Sequence, residues 1–233
     1  MLRLRPRKRE SWSVTYNLEI VSKYLPFLLL GVGITFRYTV LAFLLGSFTG
    51  LAVALGRIAK NPALRYPCLW YIDFIRGTPL LAQVYLIHFG LPQVLGYRPV
   101  GEVDALVALT LNSAAYIAEI WRGGIESIER GQMEAARSLG MTYAQAMRYV
   151  ILPQAFRRVI PPMGNEFIAL LKESSLVSVI GLEDLMMRAN MMAGRSFRPF
   201  EAYFTVALIY LALTLTFSRI VARLEGRMRS GHG

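Results

Sequence analysis

Five residues of the apolar stretch 160–182 would share one face of an α-helix. At 100° per residue they fall on an arc of about 120°, and they are Asn165, Glu166, Ala169, Lys172 and Glu173. Ionisable groups are costly inside a bilayer, so each charged side chain in such a stretch indicates a function by default. The pattern predicts a helix whose polar face lines a pathway for a polar solute. The alternative is a structural Lys–Glu pair that holds helices together.

The stretch 105–123 repeats this arrangement. Asn112, Tyr116 and Glu119 stand at positions i, i+4 and i+7 and would lie on one helix face. A solute pathway and an interhelical hydrogen-bond cluster explain Asn112 equally well. We expect Glu119 to lie near a membrane interface, where a carboxylate costs less free energy.

The sequence RGTP at 76–79 interrupts a third apolar stretch. Pro79 lacks a backbone N–H, so the helix is expected to weaken there. Irregular backbone at membrane depth normally lines a cavity or is packed within protein. Asp73, Arg76 and Gln83 would share a helix face, although Asp73 and Arg76 could simply form an ion pair across one turn.

Composition places these stretches in a membrane protein. The 233 residues are 55% hydrophobic and only 18% charged, against roughly 25% charged in soluble domains. A helix needs about 20 apolar residues to cross the hydrocarbon core, and the apolar runs lack the alternation of strands. We therefore predict an all-α integral membrane protein. Its five transmembrane helices are expected at about 30–56, 66–92, 103–124, 160–183 and 200–221.

These spans divide the chain into three parts. Residues 1–23 form a basic N-terminal tail, in which 12–23 could be an interfacial amphipathic helix or simply frayed chain. Residues 24–223 form the transmembrane domain, with one long polar loop at 125–158, and residues 224–233 form a C-terminal tail.

Five spans put the two termini on opposite sides of the membrane. Basic residues divide almost evenly between the sides, so their distribution does not decide the orientation.

Motifs for nucleotide binding, metal binding and hydrolysis do not occur in the sequence. It has no GxxxxGK[ST], HExxH, CxxC or GxSxG pattern, and it has one cysteine and two histidines. We therefore expect no catalytic residues, no metal site and no enzyme activity in this chain. The net charge of +11 is spread among the loops. That distribution favours a surface facing anionic lipid over nucleic-acid binding.

The loop 125–158 contains a spaced motif. Residues 133–153 read MEAARSLGMTYAQAMRYVILP. In this segment Glu134-Ala135-Ala136 is followed after three residues by Gly140, and after nine more by VILP. The pattern resembles the EAA loop in permease subunits of bacterial ABC importers, which has isoleucine where this sequence has Val150. Segments 74–79, 109–116 and 165–176 are similar to the polar amino-acid branch of that family, which includes histidine, glutamine and arginine permeases. The similarity covers about residues 30–223.

The resemblance implies a type I ABC-importer permease fold with five spans in the bacterial inner membrane. Its coupling residues would be Glu134, Ala135, Ala136 and Gly140. They would dock on a dimer of cytoplasmic ATPase subunits, so ATP and Mg would be bound by those partners and this chain would hold no cofactor. The loop 125–158 and the C-terminus would then be cytoplasmic and the N-terminus outside. Glu134 is expected near a helix start, where a carboxylate is favoured.

Further partners are implied by the same resemblance. They are a second permease subunit, identical or related, an extracytoplasmic amino-acid-binding protein and membrane lipid. The solute would pass where the polar faces of the two permease subunits meet, by alternating access. Those faces would offer Arg76, Thr78, Asn112, Lys172, Glu173 and Ser174.

The polar faces could recognise both charged groups of an amino acid. Lys172 or Arg76 would bind the carboxylate and Glu173 the ammonium group, although Lys172 and Glu173 could instead neutralise each other. The alternative functions are a secondary transporter or channel for a small polar solute, and a membrane interaction protein that carries nothing.

Overall fold

The computed structural model describes residues 16–230, with side chains described as far as Gly226. These residues are almost entirely helical and include no strand. The helices are α1 (Leu18–Arg57), α2 (Pro62–Gly77), α3 (Leu80–Tyr85), α4 (Leu91–Leu95), α5 (Gly101–Glu126), α6 (Arg130–Ser138), α7 (Tyr143–Ala146), α8 (Leu152–Glu173), α9 (Leu185–Ser196) and α10 (Pro199–Ser230). Two π-helical turns, Leu86–Gly90 and Met147–Ile151, precede α4 and α8, and a 3₁₀ segment, Ser174–Ile180, follows α8.

Side chains just before three of these helices determine where they begin. Asn17 Oδ1 accepts hydrogen bonds from the backbone N–H groups of Glu19 and Ile20 at the start of α1. Asn61 caps α2 and Asp184 caps α9 through the same kind of bond. Such an acceptor satisfies an N–H group of the first turn that has no partner within the helix. The local sequence therefore specifies these three helix starts.

Helices α1 and α5 form the most extensive helix pair in the described chain. Gly46 and Gly50 of α1 face Ser113 and Ala114 of α5. A Cβ atom added at Gly50 would lie 2.8 Å from the carbonyl oxygen of Ala114. Small residues at a membrane-helix interface allow the backbones to approach this closely, so α5 is held against α1 and its polar face is fixed in position.

Three helical segments are long and apolar enough to cross a membrane: Leu18–Arg57, Gly101–Glu126 and Pro199–Gly226. They overlap the predicted spans 30–56, 103–124 and 200–221. The predicted span 66–92 is not one helix, because α2 ends at Gly77 and α3 starts after Pro79. The apolar part that follows this interruption, Leu80–Leu95, is shorter than a full span.

The predicted span 160–183 also differs from the observed helix. Helix α8 begins eight residues earlier, at Leu152, with Pro153 in its first turn. The π-helical turn Met147–Ile151 leads directly into α8, so Pro153 follows helical backbone. The end of the predicted loop 125–158 is therefore helical. Beyond Glu173 the chain tightens into the 3₁₀ segment, which ends at Gly181 with φ +84°.

The ends of the chain differ from the predicted tails as well. Residues 18–23, predicted to belong to the N-terminal tail, are the first turns of α1, because Asn17 caps the helix there. They are continuous with the long helix and do not form a separate interfacial segment. The rest of that predicted segment, apart from Tyr16 and Asn17, lies outside the described residues. Residues 224–230 continue α10, and 231–233 lie outside the described part.

Candidate functional site

The backbone break between α2 and α3 is stabilised by one buried side chain. Thr78 and Pro79 are extended, with ψ of 148° and 138°. The last carbonyl groups of a helix lack intrahelical partners. Gln83 Nε2 donates to the carbonyl oxygens of Ile75, at 2.7 Å, and Thr78, at 3.1 Å, and lies 3.0 Å from Thr78 Oγ1. The glutamine therefore satisfies the carbonyl groups that the break exposes.

Asn112 joins this break to α5. Its Nδ2 donates to Gln83 Oε1 at 3.1 Å, and both side chains are buried. Thr78, Gln83 and Asn112 thus form one hydrogen-bonded chain across three structural elements. The Oδ1 atom of Asn112 is buried and has no hydrogen-bond partner among residues 16–226. The amide nitrogen of Asn112 thus links α5 to α3, and its amide oxygen is an acceptor without a partner.

Arg76 pairs with α5 and not with its neighbour on α2. Its Nη1 lies 3.5 Å from Glu119 Oε2, and its guanidinium carbon lies 5.2 Å from the centre of the Tyr116 ring. The ion pair with Asp73 that the i, i+3 spacing allows is not formed within the described chain. The side chain of Arg76 remains 41% exposed, so its charge is still accessible from one side.

Glu119 is the meeting point of three guanidinium groups. Arg57 at the end of α1, Arg76 of α2 and Arg122 of α5 all pair with it. Its side chain is only 15% exposed, so it does not lie on an open surface as a free interfacial carboxylate would. Arg122 also pairs with Glu126, so the three guanidinium groups share two carboxylates at this end of α5.

The polar side chains of α8 are arranged differently. Lys172 is exposed and Glu173 is half-buried, and neither forms an ion pair within the region that the structure covers. Ser174 is buried, and its Oγ donates to the carbonyl oxygen of Leu171 at 2.8 Å. Glu166 is half-buried beside Ser113 of α5. The Lys172–Glu173 pair of the alternative interpretation is therefore not formed in this structure.

The structure thus brings three of the predicted pathway residues together at α5: Arg76, Thr78 and Asn112. The other three, Lys172, Glu173 and Ser174, make no hydrogen bond or ion pair with them among the described residues. The sequence predicted one helix face for Gln83 and Arg76 and indicated no role for Gln83, whereas the structure places them on separate helices, α3 and α2. The position of Gln83 four residues after Pro79 was the available signal.

The segment with the EAA pattern forms two short helices joined by a turn. Glu134, Ala135 and Ala136 lie in α6, with Ala136 buried and the other two exposed. Gly140 has φ +84°, a conformation that favours glycine. Thr142 and Gln145 then form a capping box that begins α7. Glu134 is the fifth residue of α6 and is not at its start, because the helix already begins at Arg130.

Comparison with known proteins identifies the family. The sequence profile described as "binding-protein-dependent transport system inner membrane component" matches residues 42–230. The chain belongs to this family. The match includes the break, α5, the α6–α7 segment and α8, so it covers all the candidate site residues.

Individual relatives agree with this assignment. The chain is 44% identical over 201 residues to a probable glutamine ABC transporter permease protein, GlnM, of Bacillus subtilis, covering 84% of this chain and 93% of the relative. It is 40% identical over 210 residues to the arginine transport system permease protein ArtQ of the same organism, covering 88% and 94%. A solved structure titled "Crystal structure of an amino acid ABC transporter with histidines" matches with 45% identity and a TM-score of 0.87, over 91% of this chain and 99% of that one.

These matches confirm the predicted family and the all-helical importer-permease fold. The chain is a membrane permease subunit of an ABC transporter. The alternative of a secondary transporter or channel is not favoured, because the family is defined by dependence on a binding protein.

Proposed function

We propose that this chain is the translocating subunit of an ATP-driven importer of a polar amino acid. The observation that carries the proposal is the 45% identity, over 91% of the chain, to a subunit of an amino acid ABC transporter. The relatives named for glutamine and arginine transport support the same class of solute.

The proposed partners follow from the exposed α6–α7 segment. Glu134, Ala135 and Gly140 are exposed, and the side chain of Leu139 is 82% exposed. A single exposed leucine is common on protein surfaces, so the support for a partner here is the EAA pattern that this exposed segment carries. We propose that it seats on an ATPase subunit, which binds ATP and Mg. A second permease subunit and an extracytoplasmic amino-acid-binding protein complete the assembly.

The proposed topology has five crossings. Helices α1, α5 and α10 each cross alone, whereas α2 with α3 and α4 crosses as a broken helix and α8 crosses with its 3₁₀ extension. The hydrogen bonds of Gln83 support the second crossing, since non-helical backbone is tolerated at membrane depth only where its polar groups are satisfied. The N-terminus lies outside, and the α6–α7 segment and the C-terminus are cytoplasmic in the inner membrane.

The proposed solute pathway runs along α5 between the break and α8. Arg76 keeps an accessible guanidinium group for a carboxylate. The buried Oδ1 of Asn112 has no partner in the described chain and would become available to a solute only if α5 moved away from α3. Lys172 and Glu173 of α8 supply a further cation and a carboxylate that are not paired with each other. Thr78 and Ser174 hold the backbone at the ends of α2 and α8 through their own hydrogen bonds.

The test is ATP hydrolysis by the assembled complex in lipid nanodiscs. Binding protein loaded with glutamine, arginine or histidine is added in turn, and the best stimulator identifies the solute. Glu134→Lys and Gly140→Trp should abolish the stimulation, because the first reverses a charge and the second strains a left-handed turn.

Two matched variants serve as controls. Glu19→Lys reverses an exposed charge at the start of α1, and Gly194→Trp adds the same ring at an open position of α9. Both should keep the stimulation. The proposal would be contradicted if the α6–α7 variants kept the stimulation of ATP hydrolysis, or if no ATPase subunit associated with the chain.

A further inference from the structure

A groove of about 580 Å³ opens between the end of α1 and the segment leading into α8. This volume lies within the range of about 300–1,000 Å³ that is typical of small-molecule sites. Its apolar walls include Leu55, Ile58, Met147 and Leu152, and its two charged residues are Lys60 and Arg148. No acidic residue lines it in the described part of the chain. The groove is thus amphipathic, with an apolar floor and cations only.

The groove lies where a membrane helix ends. The apolar helix α1 stops at Arg57, three residues before Lys60. Charged residues that directly follow an apolar span stand at the level of the lipid headgroups. The groove therefore extends from the hydrocarbon boundary to the headgroup layer, and this holds for either orientation of the chain in the membrane.

The charges around the groove are not neutralised. Lys60 and Arg148 are exposed, and neither forms an ion pair within residues 16–226. A second, more polar pocket of about 360 Å³ shares Ile58 and Ala59 with the groove. Of its arginines, Arg57 and Arg122 pair with Glu119 or Glu126, whereas Arg65 is exposed and forms no ion pair among residues 16–226. The electrostatic surroundings favour an anion.

We propose that the groove binds one anionic phospholipid, with an acyl chain on its apolar walls and the phosphate between Lys60 and Arg148. Basic pockets between membrane helices bind lipid headgroups of this kind. A zwitterionic lipid has no net charge to attract, and a soluble phosphate compound has nothing to place against the apolar walls. Two residues that line the groove, Tyr143 and Ala144, belong to α7. The exposed Glu134, Leu139 and Gly140 and the candidate solute-pathway residues do not line it, so the proposal goes beyond the transport function.

The test is native mass spectrometry of the full-length chain, purified in detergent with the subunits that accompany it and titrated with phosphatidylglycerol or phosphatidylcholine. One phosphatidylglycerol should bind in preference to phosphatidylcholine. Lys60→Gln with Arg148→Gln should weaken that binding about 30-fold, since each cation near a membrane surface contributes about fivefold. Ala144→Trp, which fills the groove without changing its charge, should also prevent binding.

The control Arg98→Gln with Arg219→Gln removes two exposed charges that do not line the groove and should leave binding unchanged. Lys60→Arg with Arg148→Lys keeps both charges and should bind as the unaltered chain does, which separates a lost site from misfolding. Equal binding of the two lipids, or an equal loss in the control, overturns the proposal. Because the readout is lipid binding, its failure would leave the transport function untouched, and failed transport would leave this result standing.

Discussion

Asn112 of α5 donates a hydrogen bond from Nδ2 to Oε1 of Gln83, 3.1 Å away on α3. Because Gln83 also bonds the carbonyl groups of Ile75 and Thr78, this one contact ties the interrupted α2–α3 crossing to α5. Any movement of α5 that separates the two amides must also disturb the backbone break. The hydrogen bond therefore couples the break to α5, along which the proposed solute pathway runs.

The first prediction concerns this pair. Gln83→Leu should lower the free energy of unfolding by about 1–3 kcal/mol, because it leaves buried carbonyl groups unpaired. A double-mutant cycle with Asn112→Leu should give a coupling energy of about 0.5–2 kcal/mol, as found for hydrogen bonds between membrane helices. The measurement is unfolding in detergent titrated with a denaturing surfactant. Gln93→Leu, at an exposed position, is the control. A coupling energy of zero would contradict the hydrogen bond between Gln83 and Asn112.

The second prediction concerns the close approach of α1 and α5. Gly50→Ala should destabilise the chain by about 1–3 kcal/mol, because its Cβ would press on Ala114 and Ile117 of α5. Gly33→Ala lies in the same helix with no neighbour within 4 Å, and it should be neutral or slightly stabilising. Thermal unfolding of the two variants side by side measures the difference, and equal stability would exclude tight packing at Gly50.

The third prediction concerns Arg76. Arg76→Gln should raise the KM for uptake about tenfold or more, with a smaller effect on the maximal rate. Its accessible guanidinium group is expected to bind the carboxylate of the solute, and a charged hydrogen bond is worth about 1.5–3 kcal/mol. Uptake into proteoliposomes at varied solute-loaded binding protein measures both constants. Arg37→Gln removes an exposed charge elsewhere on α1 and should behave as the unaltered chain, whereas an unchanged KM in Arg76→Gln would remove this residue from the pathway.

The fourth prediction concerns Leu139. Leu139→Glu should reduce recovery of the ATPase subunit with the chain at least fivefold and leave thermal unfolding of the isolated chain unchanged, because this side chain is already 82% exposed. Co-purification is the measurement. Leu18→Glu, at a leucine that is 70% exposed at the start of α1, should retain the ATPase. Normal recovery in Leu139→Glu would place the docking surface elsewhere.

The fifth prediction concerns pH. Asp184 lies between the 3₁₀ segment and α9, outside the proposed spans, and burial raises its pKa to about 6. A carboxyl group whose pKa is raised by folding binds more protons in the folded state, so stability should fall as pH rises from about 4 to about 6, by up to about 3 kcal/mol. Asp184→Asn keeps an acceptor for the Met187 N–H and should flatten that dependence. The measurement is surfactant unfolding of the unaltered chain and of Asp184→Asn at several pH values. Identical dependence of stability on pH in the two proteins would contradict the prediction.

Several features follow from local chemistry and can be predicted from sequence. Pro79 has no N–H to donate, so the sequence indicates a weak point there. The proline alone does not decide the break, because Pro26 and Pro67 stand inside α1 and α2. Gly140 takes a left-handed turn that glycine adopts at little cost, and the EAA pattern around it indicates the family. Long uncharged runs such as 38–56 predict helices because backbone groups in lipid must bond within their own segment.

The partners of the polar side chains depended on the tertiary structure. Arg76 stands one turn from Asp73 yet pairs with Glu119 of α5, and Gln83 bonds both the break before it and Asn112. Ser174, predicted to face the solute, is buried against its own helix. Spacing along the chain determines which residues can share a helix face, but it does not determine which neighbouring helix that face meets. That depends on how closely α1 and α5 pack at Gly50 and on where the broken crossing lies against them.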